Sequence, residues 1–88
     1  MDSYEIQWKR SAERDLRSID PTQLARIVSA VESLADNPFP PQQRKLRGSE
    51  RDYRIRVGDY RVIYQVDNEA KTVIIYHVRH RREAYRKQ

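Results

Sequence analysis

The sequence predicts an α+β fold: a single small domain over residues 1–88, ordered β-α-α-β-β-β, with two helices packed on one face of a mostly antiparallel sheet. Two observations carry that prediction. Beyond residue 8 the first half holds two apolar stripes at helical spacing, and the second half holds three alternating segments joined by turn residues. Amphipathic helices must bury their stripes, and a sheet built from hairpins supplies a flat apolar surface to receive them.

Tyr4, Ile6 and Trp8 alternate with Glu5 and Gln7, the period of a strand with one apolar face, so Tyr4 and Trp8 read as core. Ser11 can cap a first helix over 12–19, with Glu13 and Asp15 near its positive end and Leu16 and Ile19 buried. Asp20 suits the N-cap of a second helix, Pro21 its first position, and Gln23 the spacing of a capping box. Leu24, Ile27, Val28, Val31, Leu34 and Ala35 then trace one stripe. Asn37-Pro38 ends that helix, and Pro38, Pro40 and Pro41 predict a stiff connector across the surface. A loop at Lys45-Leu46-Arg47-Gly48 leads into strands over Asp52–Val57 and 60–66, joined by the two-residue loop Gly58-Asp59. Asp67-Asn68-Glu69 forms the next turn and 72–78 the last strand, leaving 79–88 as a short polar helix or a loose tail.

Length and composition narrow the class. With 88 residues the chain builds one core. It has no apolar run near membrane-spanning length, no apolar stretch of a signal peptide at its start, and no cysteine, so a cytoplasmic protein without disulfides or thiolate metal sites is expected. The net charge of +5 is unevenly placed: residues 1–43 carry −2 and residues 44–88 carry +7, mostly as arginine. Arginine favours bidentate phosphate contact, and a basic face of this kind is the electrostatic footprint of nucleic-acid binding. The blander reading is a soluble basic protein with no such partner.

The hairpin loop fixes a register. If Val57 pairs with Tyr60, Arg56 lies opposite Arg61, Ile55 opposite Val62, Arg54 opposite Ile63 and Tyr53 opposite Tyr64. One face then shows Tyr53, Ile55, Val57, Tyr60, Val62, Tyr64 and Val66 to the helices, and the other shows Arg54, Arg56 and Arg61 with Ile63 and Gln65. Like charges directly opposed on a sheet are destabilising by a few tenths to about 1 kcal/mol. An anionic ligand would relieve them, and a hydrated face screened by salt is the alternative. A slip of one residue would undo the argument.

Beyond the sheet, residues 79–88 add Arg79, His80, Arg81, Arg82, Tyr85, Arg86 and Lys87, opposed by Glu83. His80 is suited to acid–base work and Tyr85 to stacking on a base or supplying a proton, although single residues of these types are more often just solvated. His77, inside the last strand between Tyr76 and Val78, reads as structural. The sequence holds no HExxH, no Cys/His metal spacing and no glycine-rich phosphate loop, so neither a metal nor a cofactor is expected.

The runs Leu46-Arg47-Gly48, Tyr53 to Tyr64 (YRIRVGDYRVIY) and His80 to Tyr85 (HRREAY) resemble the RelE/ParE toxin superfamily along essentially the whole chain, and the HRREAY ending is more similar to the RelE branch. The resemblance implies a type II toxin that enters the 30S A site of the ribosome and cuts mRNA there without metal, using the RNA's own 2′-OH. It also implies a RelB-like antitoxin, with operator DNA contacted only through the antitoxin complex, and no membrane partner. Carried onto this sequence, Arg61 and Arg56 would clamp phosphate, Arg54 would contact phosphate or A-site RNA, Arg81 would stabilise the leaving group and Tyr85 would orient the target base. Arg44, Lys45, Arg47, Arg51, Arg79, Arg82, Arg86 and Lys87 would complete an RNA- and ribosome-binding surface. Some relatives carry lysine where Arg54 and Arg56 stand. Arginine stays protonated, so the general base is open, with His80 the candidate and Glu50 a remoter one. A gyrase inhibitor of ParE type and a non-catalytic nucleic-acid-binding module are the competing classes.

Overall fold

Gly58 adopts a positive φ of 60° and Asp59 does not, the pattern of a type II′ turn, whose twist suits two strands leaving it side by side. From that turn the hairpin takes the register expected of it, Val57 with Tyr60 through Tyr53 with Tyr64. The computed structural model describes residues 3–40, 44–45 and 52–80. Their elements run β1 (Glu5–Trp8), α1 (Arg10–Leu16), α2 (Pro21–Ser33), β2 (Arg44–Lys45), β3 (Asp52–Val57), β4 (Tyr60–Asp67) and β5 (Thr72–His80). The sheet order is β1-β5-β4-β3-β2, with β1 parallel to β5 and every other pair antiparallel. The α+β class and the mostly antiparallel sheet are as expected. The fifth strand is not: Lys45, expected to open a loop, pairs with Tyr53 of β3, and Arg44 beside it pairs with Arg54.

The core lies between the helices and one face of the sheet. Ala12 comes from α1 and Ile19 from just beyond it, and Ile27 and Val31 come from α2 with Leu34 at its C-cap. They meet Ile55, Val62, Tyr64, Val66, Val73, Ile75 and Val78 from the strands. Tyr4, Ile6 and Trp8 pack against the same cluster. Asp20 caps α2 as expected, its carboxylate accepting from the Thr22 amide at 3.1 Å. Gln23 instead accepts a hydrogen bond from Arg26, so the reciprocal half of a capping box is not formed there.

Two expectations about the first half change. Helix α1 begins at Arg10 rather than 12 and ends at Leu16 rather than 19, with Lys9 at its N-cap. Ser11 is inside it and caps nothing local. Its hydroxyl donates to the Tyr76 carbonyl at 2.6 Å. The proline connector is not purely superficial either: Pro38 is buried, and its carbonyl accepts from the Tyr64 hydroxyl at 2.8 Å. Leu46, Gly48 and Pro41 lie outside the described residues.

Candidate nucleic-acid interface

Three arginines from three adjacent strands stand in one row on the face turned away from the helices. Arg56 of β3 is opposite Arg61 of β4, and Arg61 is opposite Arg79 of β5. Strands lie about 4.8 Å apart, so the row spans about 10 Å between its outer backbones. The next row on the same face is Arg54, Ile63 and His77, and Arg44 occupies the register position opposite Arg54. Arg56 is exposed, and its Nε donates to the Gly58 carbonyl at 3.1 Å, which folds it back along the hairpin turn. A guanidinium cannot relieve crowding by losing its proton. The row is therefore a fixed positive strip suited to the closely spaced phosphates of a polynucleotide.

Arg79 reaches this row through a break in the ladder. Ile63 pairs with His77 but Tyr64 pairs with Ile75, so Tyr76 is an extra residue in β5, a β-bulge. Before the bulge Val73 and Ile75 point into the core. A strict alternation would then send residues 77 and 79 inward as well. The bulge inverts the pattern: Val78 is buried at 3% exposure, and His77 and Arg79 fall on the open face. The last strand continues to His80, two residues beyond its expected end, so Arg79 and His80 belong to the sheet and not to a tail.

The same inversion removes His80 from the arginines. His80 pairs with Tyr60, whose ring packs against the core, and the two rings meet edge to face with centroids 5.2 Å apart. His80 lines a polar recess of about 180 Å³ on the helix side, together with Asp15, Ser18, Ile19, Tyr60, Val78 and Arg79. The expectation that His80 works beside Arg54, Arg56 and Arg61 thus meets a placement on the other face. Arg47, Glu50, Arg51, Arg81, Arg82, Tyr85, Arg86 and Lys87 lie outside the described residues.

Helix α1 finishes the open edge of β5. Strand β1 is short and covers only Thr72 to Ile75 of its partner. Beyond it, Ser11 takes the Tyr76 carbonyl, and the Asp15 carboxylate accepts from the Val78 amide at 3.0 Å. Two side chains of a helix thereby stand in for a missing strand, satisfying backbone groups that would otherwise lie exposed at a sheet edge. The same Asp15 oxygen lies 3.3 Å from His77 Nδ1 and 3.7 Å from Arg79 Nε, and Arg79 Nη2 lies 3.0 Å from His77 Nδ1. Sequence reading marked Asp15 only as a helix-dipole residue and His77 as structural. The two are 62 residues apart, and no local pattern links them.

The basic end of the open face has a defined limit. Asp52, Gln65 and Tyr76 form a hydrogen-bonded relay across three strands, Gln65 Nε2 donating to Asp52 at 2.6 Å and the Tyr76 hydroxyl donating to Gln65 Oε1 at 3.2 Å. The Lys9 ammonium stands 5.7 Å from the centre of the Tyr76 ring.

Residues 6–85 match the family described as the ParE toxin of the type II toxin–antitoxin system parDE. The chain is 35% identical over 88 residues to the toxin RelG of Mycobacterium tuberculosis, covering 96% of this chain and 98% of that protein. In structure it is similar to the toxin–antitoxin complex RelBE2 of the same organism, with TM-score 0.79, 33% identity, and 90% of this chain and 99% of that one covered. It is also similar to the RelE–RelB complex of Pyrococcus horikoshii, with TM-score 0.80, 28% identity, and 90% and 96% covered.

Proposed function

The chain belongs to the ParE-toxin family of type II toxin–antitoxin systems and is a toxin of RelE type, and from that premise we propose that it is an endoribonuclease that cuts mRNA held in the ribosomal A site. The observation that carries the reading is the Arg56–Arg61–Arg79 row on an open sheet face. In-line attack of a 2′-OH on the adjacent phosphodiester builds negative charge on the phosphate oxygens. Fixed cations lower that barrier by lying where the charge develops, and by holding the phosphate while the nucleophile aligns. Arg61, at the centre of the row, grips the scissile phosphate, Arg56 and Arg79 flank it, and Arg54 holds the neighbouring backbone. Arg81 and Tyr85 keep the roles that the resemblance implies, at the leaving oxygen and the target base. The chemistry makes a 2′,3′-cyclic phosphate and needs no metal in this scheme.

The RelBE2 and RelE–RelB structures are toxin–antitoxin complexes, which supports a RelB-like antitoxin as the partner of this chain. A second reading follows from the ParE description of the family: inhibition of DNA gyrase. The test is to mix the protein with ribosomes holding a defined codon in the A site and map new 5′ ends by primer extension. A ribosome-free control uses the same RNA, and the toxin alone is treated with EDTA before mixing, so that the magnesium of the ribosomes is left intact. One cut inside the A-site codon, absent without ribosomes and lost in Arg61→Ala, is the expected result. No cut by folded protein overturns the reading and makes gyrase the next target.

A further inference from the structure

We infer that His77 is the proton-transfer residue of the proposed cleavage and that Asp15 is its positioning residue; the inference rests on the cleavage reading above. The two rows at the basic end of the open face hold Arg54, Arg56, Arg61, Arg79, Ile63 and His77. Guanidinium groups only donate hydrogen bonds and isoleucine carries no polar atom, so His77 is the one side chain of these six whose ring nitrogens can both give and accept a proton. Its position is diagonal to Arg61, a relation that sets backbones about 7–8 Å apart and keeps long side chains within common reach of one group. A phosphate gripped by Arg61 therefore brings its 2′-OH neighbour towards the His77 ring, whose side chain is 36% exposed. His80, the other histidine, faces the helix side beside Tyr60.

The hydrogen bonds around Nδ1 show how the ring is set. Arg79 Nη2 is a donor only, and the Asp15 carboxylate is an acceptor only, yet both lie within 3.3 Å of this one nitrogen. Arg79 is satisfied when Nδ1 carries a lone pair, which puts the proton on Nε2. Asp15 is satisfied when Nδ1 carries the proton, which leaves Nε2 with a lone pair. The two tautomers exchange through solvent. A bound phosphate draws the Arg79 guanidinium to itself, Nδ1 turns to Asp15, and Nε2 becomes the basic nitrogen. Substrate binding and activation of the base are thus coupled through Arg79. Asp15 is well placed for this, because its bond to the Val78 amide fixes it against β5 whatever His77 does.

The step balances. The 2′-OH proton moves to Nε2, the 2′-oxygen forms its bond to phosphorus, and the bond from phosphorus to the 5′-oxygen breaks. The leaving 5′-oxygen takes a proton from water, and the imidazolium, stabilised by Asp15, returns its proton to solvent. The products are a 2′,3′-cyclic phosphate and a 5′-hydroxyl.

The experiment measures single-turnover cleavage on ribosomes carrying a fixed A-site codon, for the full chain and for His77→Gln, Asp15→Asn, the double variant, and His77→Ala with and without added imidazole. His77→Gln should slow cleavage about 100-fold with ribosome affinity unchanged, the lower end of what general acid–base catalysis contributes. Asp15→Asn keeps an oxygen for the Val78 amide and should slow cleavage about 10-fold, whereas in the double variant it should add nothing to the loss from His77→Gln, because it acts through that ring. Imidazole should restore part of the His77→Ala rate. Rescue compares one protein with itself, so a folding defect cannot imitate it. If the unaltered chain cuts while His77→Gln cuts within threefold of it and imidazole restores nothing, the inference is overturned and the cleavage reading stands. If the unaltered chain does not cut, both fall.

Discussion

Arg61 on β4 has Arg79 on β5 as its direct cross-strand partner, just as it has Arg56 on β3 on its other side. Three guanidinium groups on neighbouring strands repel one another, each opposed pair by a few tenths to about 1 kcal/mol. A phosphate-bearing ligand removes that cost as it binds. Inorganic phosphate or a short RNA should therefore raise the melting temperature more than chloride at equal ionic strength. Arg79→Gln should shrink the increment, and Arg56→Gln should do the same. Scanning fluorimetry across a phosphate titration checks it, and equal increments in all three proteins would dissociate the row from anion binding.

Ser11 and Asp15 close the edge of β5 where β1 stops. Ser11→Ala should cost about 1 kcal/mol, the net worth of one hydrogen bond. Asp15→Ala should cost about 1–3 kcal/mol, because it leaves the part-buried Val78 amide without its acceptor, and Asp15→Asn should cost less than Asp15→Ala. Urea denaturation measures all three, and the order of the two Asp15 variants is the discriminating result.

Burial pushes the Tyr64 phenol well above its ordinary value, and the neighbouring Tyr53 adds to the rise. A raised folded value means that the unfolded chain gives up this proton first. Stability from Tyr64 is thus complete below the ordinary tyrosine value of 10.0 and is lost as pH climbs above it towards the folded value. Tyr64→Phe should flatten this alkaline loss. At neutral pH it should also lower stability by about 1–3 kcal/mol, since the Pro38 carbonyl loses its donor. Melting temperatures between neutral pH and pH 11 or so separate the two effects.

Gly58 needs its left-handed backbone for the hairpin turn. A β-carbon there would meet Gln23 Oε1 at 3.5 Å, an ordinary contact, so the penalty is conformational and not steric crowding from α2. Gly58→Ala should cost about 1–2 kcal/mol, and Gly58→Asn less, because asparagine tolerates this region better. Denaturation midpoints of the two variants check the order.

The sequence by itself determined the α+β class, the stripe of α2, the Asp20 cap and the whole β3–β4 register, which together put Arg54, Arg56 and Arg61 on one face. Each of these is a local matter: periods of 2 and 3.6, a two-residue turn with glycine first, a cap beside a proline. The tertiary structure alone decided the rest of the site. One extra residue at Tyr76 turned His77 and Arg79 outward and His80 inward, and α1 brought Asp15 to meet His77 across 62 residues of chain. A bulge costs ladder hydrogen bonds that must be recovered elsewhere, and here Ser11 supplies a partner to the bulged residue's carbonyl and Asp15 to the Val78 amide just beyond it. That balance depends on elements meeting in space, which alternation along a single strand cannot encode.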